Sequence, residues 1–290
     1  MGLNLYSRLG VSASFDSSHK YVTSPVLRSP VAFAALRATI AVYTLTVLLV
    51  TLIWQAVKLD TAQSYFSYFT YLSYIGVCAY YWASGVQTAS YALRWRKAGA
   101  GAGYPLQRWP KILQALHVIL QMTITTFPFL VTIVYWALLS SPSTFATQFS
   151  SWSNISVHAL NSVWAFTEIL LSNSPPAPWI TIIPGVMILG AYLGVAYITK
   201  DTQGFYTYSF LDPHKEGPKL AGFIIGIAVG FIIIFCIVRG IVVLRQRWAS
   251  RSGRILATHG DSASLGDDWE EVESPTSIEV GRKSGGGGHV

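Results

Sequence analysis

The sequence predicts an all-α, polytopic membrane protein, a bundle of about six transmembrane helices with both termini in the cytoplasm. Three observations carry this. The 290 residues are 52% hydrophobic and only 11% charged, about half the charged fraction of an ordinary soluble domain. The charges gather in residues 1–37, 94–111, 200–219 and 239–290, leaving the stretches between nearly free of them. Those stretches are long enough to cross a hydrocarbon core, which takes about 20 apolar residues as an α-helix. The net charge of +7 does not argue for nucleic acid, because most Lys and Arg flank apolar runs, where anionic lipid head groups would meet them.

Residues 1–31 read as a cytoplasmic N-terminal segment. It lacks an apolar core ahead of a small-residue cleavage site, so the first span is expected to act as the insertion signal. The transmembrane domain covers 32–243, with spans near 32–57, 65–93, 111–140, 153–171, 179–199 and 219–243. The second and third are long enough to tilt or to project past the bilayer. The fourth is the most polar, carrying Asn154, His158, Asn161, Ser162, Thr167 and Glu168, and polar groups are costly in lipid, so these should face the bundle interior. Residues 244–290 start with a basic cluster and pass into an acidic, glycine-rich stretch. Such a composition cannot bury enough apolar surface to order itself, and a disordered cytoplasmic tail is expected, its protein partners unknown.

Orientation follows from Lys and Arg, which favour cytoplasmic loops. In a six-span arrangement sixteen fall on the side of the termini and four, Lys58, Lys200, Lys215 and Lys219, on the other. Loops 58–64, 141–152 and 200–218 then face the lumen or exterior. Cys78 and Cys236 lie inside apolar runs and read as small packing residues. The sequon at Asn154 sits at the membrane surface, where a transferase would reach it poorly.

In this arrangement Thr70 and His158 both lie five or six residues inside the luminal boundary, on spans two and four, or roughly 8 Å deep at the helical rise. A hydroxyl and an imidazole at one level suit nucleophile and base, since a Thr hydroxyl attacks only when a neighbour takes its proton. Against this stands the common intramembrane role of Thr, bonding back to a carbonyl one turn earlier, and for His an interhelical hydrogen bond. Asn161, one turn beyond His158, could orient the imidazole or polarise a carbonyl. Glu168 lies about 15 Å further along the axis, too far to be the acid partner of His158. It reads as a bundle-facing carboxyl, and His117, at the wrong depth, as packing.

His19, His117, His158, His214, His259 and His289 are scattered without metal-ligand spacing, so no metal is expected. There is no G-x-S-x-G elbow and no P-loop. GAGAG at 99–103 lacks the Lys and strand of a phosphate cradle and reads as a flexible loop. A conventional serine hydrolase or nucleotide enzyme is thereby disfavoured, and no cofactor is implied.

Three segments, in order, resemble the androgen-induced-like family of multispan membrane proteins, whose characterised members hydrolyse fatty acid esters of hydroxy fatty acids. YFTYLSY around Thr70 is similar to the aromatic segment that carries the family's threonine nucleophile. NISVHALNSVWAFTEIL places Asn154, His158 and Glu168 at the family's N-x3-H-x9-E spacing, His158 falling on the catalytic histidine. GFYTYSFLDP, Gly204 to Pro213, resembles the glycine and aromatic motif after the fifth span. The chain departs from the pattern at Ser73, at Ser209 and at Thr199, Lys200 and Asp201. The resemblance implies a lipid ester substrate held between spans two and four. Thr70 would attack, with His158 as base and then acid and with Asn161 or Asn154 at the oxyanion. Tyr206, Tyr208 and Phe210 would line the mouth as an aromatic belt. The expected location is the endomembrane system, the endoplasmic reticulum rather than the plasma membrane. The alternative is a non-catalytic multispan scaffold or lipid-binding protein, whose intramembrane polar residues only join helices.

Overall fold

Apolar runs separated by short polar connections fold into six long helices, with no strand among the described residues, in a computed structural model that describes residues 5–98 and 103–252. Helix α1, Pro30–Trp54, starts on Ser29, whose hydroxyl accepts from the Ala32 amide, with proline at the first helical position. It continues as a π-turn, Gln55–Leu59. Helix α2 is Phe69–Ala98 and α3 is Lys111–Val134, the latter also prolonged by a π-turn, Tyr135–Leu139. Helix α4, residues 148–171, is two α-helical pieces, Gln148–Ile155 and Asn161–Leu171, joined by the π-turn Ser156–Leu160. Helix α5, Ile182–Gln203, ends on Gly204, whose φ of 84° is open to glycine at little cost. Helix α6 is Lys219–Arg251.

Four helices are long and apolar enough to cross a membrane: Pro30–Leu59, Lys111–Leu139, Trp179–Gln203 and Lys219–Arg251. The other two add much of the polar interior, to which α3 also contributes Gln114, His117 and Gln121. On α2 the buried residues include Thr70, Tyr74, Tyr80, Tyr81, Ser84, Gln87 and Thr88, and on α4 they include His158, Asn161 and Glu168. The outer faces are apolar, as lipid requires: on α6, Ile225, Ile233, Ile237 and Leu244 are exposed.

At the end where α1 and α3 begin, the N-terminal segment is folded onto the bundle. Leu9, Val11, Phe15, Tyr21 and Val22 are buried against Tyr91, Tyr104 and Val118. The Asp16 carboxylate accepts from the amides of Lys20 and Tyr21 and from the Tyr104 hydroxyl. Beneath it Arg37 and Glu168, each 1% exposed, form an ion pair 2.5 Å long. Arg37 also donates to the Tyr21 carbonyl and to Thr88, and Tyr80 donates to Glu168. This network joins the N-terminal segment to α1, α2 and α4.

One expected boundary is corrected. Residues 244–251, assigned to the tail, continue α6. The reason is tertiary: Arg245 is buried and its guanidinium donates to the carbonyls of Ile169 and Ser174, capping the end of α4. The rest of the tail, and residues 99–102 of the GAGAG loop, lie outside the described residues.

Candidate active site

The three π-turns occur at one end of the bundle, where α1 and α3 finish and α4 begins its inward course, and each supplies part of one chamber. A π-turn adds a residue to the helical ladder and re-aims the side chains after it, and such turns concentrate at functional sites. Gln55 and Leu59 come from the first, Tyr135 and Leu139 from the second, His158 from the third. Thr70, Tyr71, Thr207 and Tyr208, with Thr61, Ser64 and Tyr68, complete the wall of a chamber of about 420 Å3.

Thr70 is the second residue of α2, which the extended Tyr68 separates from a 3₁₀ turn, Ala62–Ser67. A threonine deeper in a helix satisfies its hydroxyl on the carbonyl four residues back, as Thr44, Thr51 and Thr125 do. Thr70 precedes the first full turn, and among the described residues it makes no such bond. Its hydroxyl lies instead beside the Tyr208 phenol, which also faces its backbone amide. Burial raises the Tyr208 phenol above its ordinary value, so it stays protonated and able to donate.

The His158 ring stacks face to face on Tyr135, centroids 3.5 Å apart and planes 3° from parallel. The Tyr135 hydroxyl donates to Asn154 Oδ1 at 2.8 Å, so the asparagine fixes the ring that fixes the histidine. Trp136 Nε1 donates to the His158 carbonyl at 3.1 Å, holding the π-turn. His158 Nδ1 is buried and has no hydrogen-bond partner among the described residues. A buried nitrogen without a partner costs about 1–3 kcal/mol, and the residue that bears it lines the chamber.

The two residues singled out from sequence therefore share one chamber, although not by the count of residues. Helix α2 begins at Phe69, four residues after the expected start, and α4 at Gln148, five before. Thr70 is thus the second residue of its helix and His158 the eleventh, and both line the chamber because α4 starts further out, with no hydrogen bond between them among the described residues. The other expected site residues are placed differently. Asn154 supports Tyr135, and its amide donates to the carbonyls of Thr144 and Ser150. Asn161 is turned by the π-turn toward α3, where Oδ1 accepts from Thr132 and Nδ2 donates to the Pro128 carbonyl. Neither asparagine lines the chamber, so the expected oxyanion role is corrected: their polar atoms are already committed. Glu168 lies in the Arg37 network at the other end of the bundle, and His117 stacks there on Tyr80. Tyr208 lines the chamber, whereas Tyr206 lies outside it under the Lys200 ammonium. Sequence reasoning missed Gln55, Tyr71, Tyr135 and Thr207. Each is an ordinary residue near a span end, and nothing local marks it.

A second, apolar cavity of about 200 Å3 lies between α3, α5 and α6. Thr70, Tyr135, Leu139 and Tyr208 line both spaces. No group of three or more His, Cys, Asp or Glu suited to a metal occurs among the described residues. Compared with known proteins, the chain matches no protein-family model, no curated protein and no solved structure.

Proposed function

We propose that this chain is a six-span membrane hydrolase of lipid esters, with both termini cytoplasmic and the chamber toward the luminal leaflet. This is the activity that its resemblance to the androgen-induced-like family implies, on fatty acid esters of hydroxy fatty acids in an endomembrane. The observation that carries the reading is that Thr70 and His158, from two different helices, line one polar chamber that also adjoins an apolar cavity.

Thr70 Oγ1 attacks the ester carbonyl carbon while the imidazole of His158 takes its proton. The carbonyl oxygen becomes an oxyanion, and the hydroxyl of Tyr208, which lines the chamber with Thr70, donates to it. Collapse breaks the carbon–oxygen bond to the alcohol, which leaves with the proton from the imidazolium. Water, activated by the same imidazole, then cleaves the acyl-threonine, releasing the carboxylic acid and restoring the Thr70 hydroxyl.

The test is hydrolysis of a long-chain hydroxy fatty acid ester by purified protein. Thr70→Ala and His158→Ala should each remove nearly all turnover with folded yield unchanged, and the double variant should be no worse than the worse single, because nucleophile and base act as a unit. A scaffold or lipid-binding protein would show no Thr70-dependent turnover.

A further inference from the structure

We propose that the apolar cavity between α3, α5 and α6 is the site of the ester's acyl chain, entered sideways from the bilayer between α5 and α6, and that the alcohol half occupies the polar chamber. The proposal rests on the hydrolase reading for which half of the ester goes where, and on geometry for the site itself.

The chemistry orders the two halves. The base that protonates the departing alcohol must next activate water at the same place, so the alcohol leaves from the side that holds His158. That side is the chamber with Gln55, Thr61, Ser64 and Thr207 in its wall, groups suited to water and to a hydroxylated or carboxylated leaving group. The acyl half remains on Thr70 throughout and must lie on the other side of it. There the wall is Leu130, Val131, Leu189, Leu193 and Ile227, with no charged residue. A cavity of about 150 Å3 already takes a benzene ring, so about 200 Å3 takes a run of methylenes.

The mouth is built by two glycines in α5. At Gly185 the helices are in contact: a Cβ there would stand 2.3 Å from the Phe231 ring of α6. Five residues on, Gly190 lines the cavity, is exposed, and a Cβ there would meet nothing within 4 Å. Ala228 faces the same cavity from α6. Val186 beside the opening is 38% exposed and Met187 67%, an apolar rim that lipid would cover. A chain whose far end stays in the bilayer can therefore pass between α5 and α6 without leaving hydrocarbon.

Two measurements test this. The first compares acetyl, octanoyl and palmitoyl esters of one alcohol, and acetyl esters of alcohols of rising length. Gly190→Phe, with Ala228→Phe as the second variant, should lower kcat/KM for the palmitoyl ester about tenfold for every two methylenes excluded. The acetyl ester and the alcohol series should be unaffected. The second irradiates Thr70→Ala protein in detergent with palmitic acid bearing a terminal diazirine. Adducts should map to residues 186–193 or 224–228 and be lost on adding Gly190→Phe. Adducts without Thr70-dependent turnover would sink the hydrolase reading and leave the site. Thr70-dependent turnover with an unchanged acyl profile, with discrimination moved to the alcohol, or with adducts mapping elsewhere would overturn the site and leave the hydrolase. Absence of both turnover and adducts would overturn both.

Discussion

Two polar residues of α4 show how burial assigns different roles to groups of similar expense. Glu168 is fully paired: Arg37 meets both its oxygens and Tyr80 adds a third bond. The His158 ring is held by stacking on Tyr135, and its buried Nδ1 has no hydrogen-bond partner among the described residues. Removing one member of a buried ion pair typically costs about 3–5 kcal/mol, because the other charge is stranded. Glu168→Gln should therefore lower thermal stability in detergent by an amount of that order, while turnover per folded molecule, measured against a bound-label titration, stays at the wild-type level. A loss of turnover without a loss of stability would mean that Glu168 acts at the site. That Glu168 is bundle-facing can be read from its place in an apolar run. Its partner cannot, because Arg37 lies 131 residues away in sequence.

At the scale of elements, apolar run length and charge placement located each of the six long helices, with ends displaced by up to five residues and, at the C-terminal end of α6, by eight. What they could not locate were the three π-turns, for a π-turn has no residue signature and arises from how a helix end packs. The chamber depends on them, so the candidate pair was legible in the sequence and its surroundings were not. The contact of α5 with α6 is of the same kind. Gly185 is legible as a small residue in a span and its role only from Phe231 against it. Overpacking costs about 1–3 kcal/mol, so Gly185→Ala should lower the melting temperature clearly. Gly222→Ala on α6, where a Cβ would meet nothing within 4 Å, should be neutral or raise it, since alanine favours helix by about 1 kcal/mol. Equal effects of the two would contradict the close α5–α6 packing.

For the whole molecule, four helices are long and apolar enough to cross a membrane by themselves. The two that are not, α2 and α4, place Thr70 and His158. The proposal rests on this division: three largely exposed apolar helices, α1, α5 and α6, and the mostly buried α3 surround the two more polar helices that would carry the chemistry. If the chain crosses six times, sixteen of its twenty Lys and Arg fall on the side of the termini, and tags at both termini should be reached by protease only from the cytosol. Protection of one terminus alone would mean an odd number of crossings. The central claim is that Thr70 becomes acylated with His158 as its base. Its most direct measurement is reaction with a long-chain fluorophosphonate followed by peptide mapping of the adduct. The account predicts one adduct, on Thr70, formed at a rate reduced by about a hundredfold or more in His158→Ala. An adduct on another residue, or an undiminished rate in that variant, would contradict it.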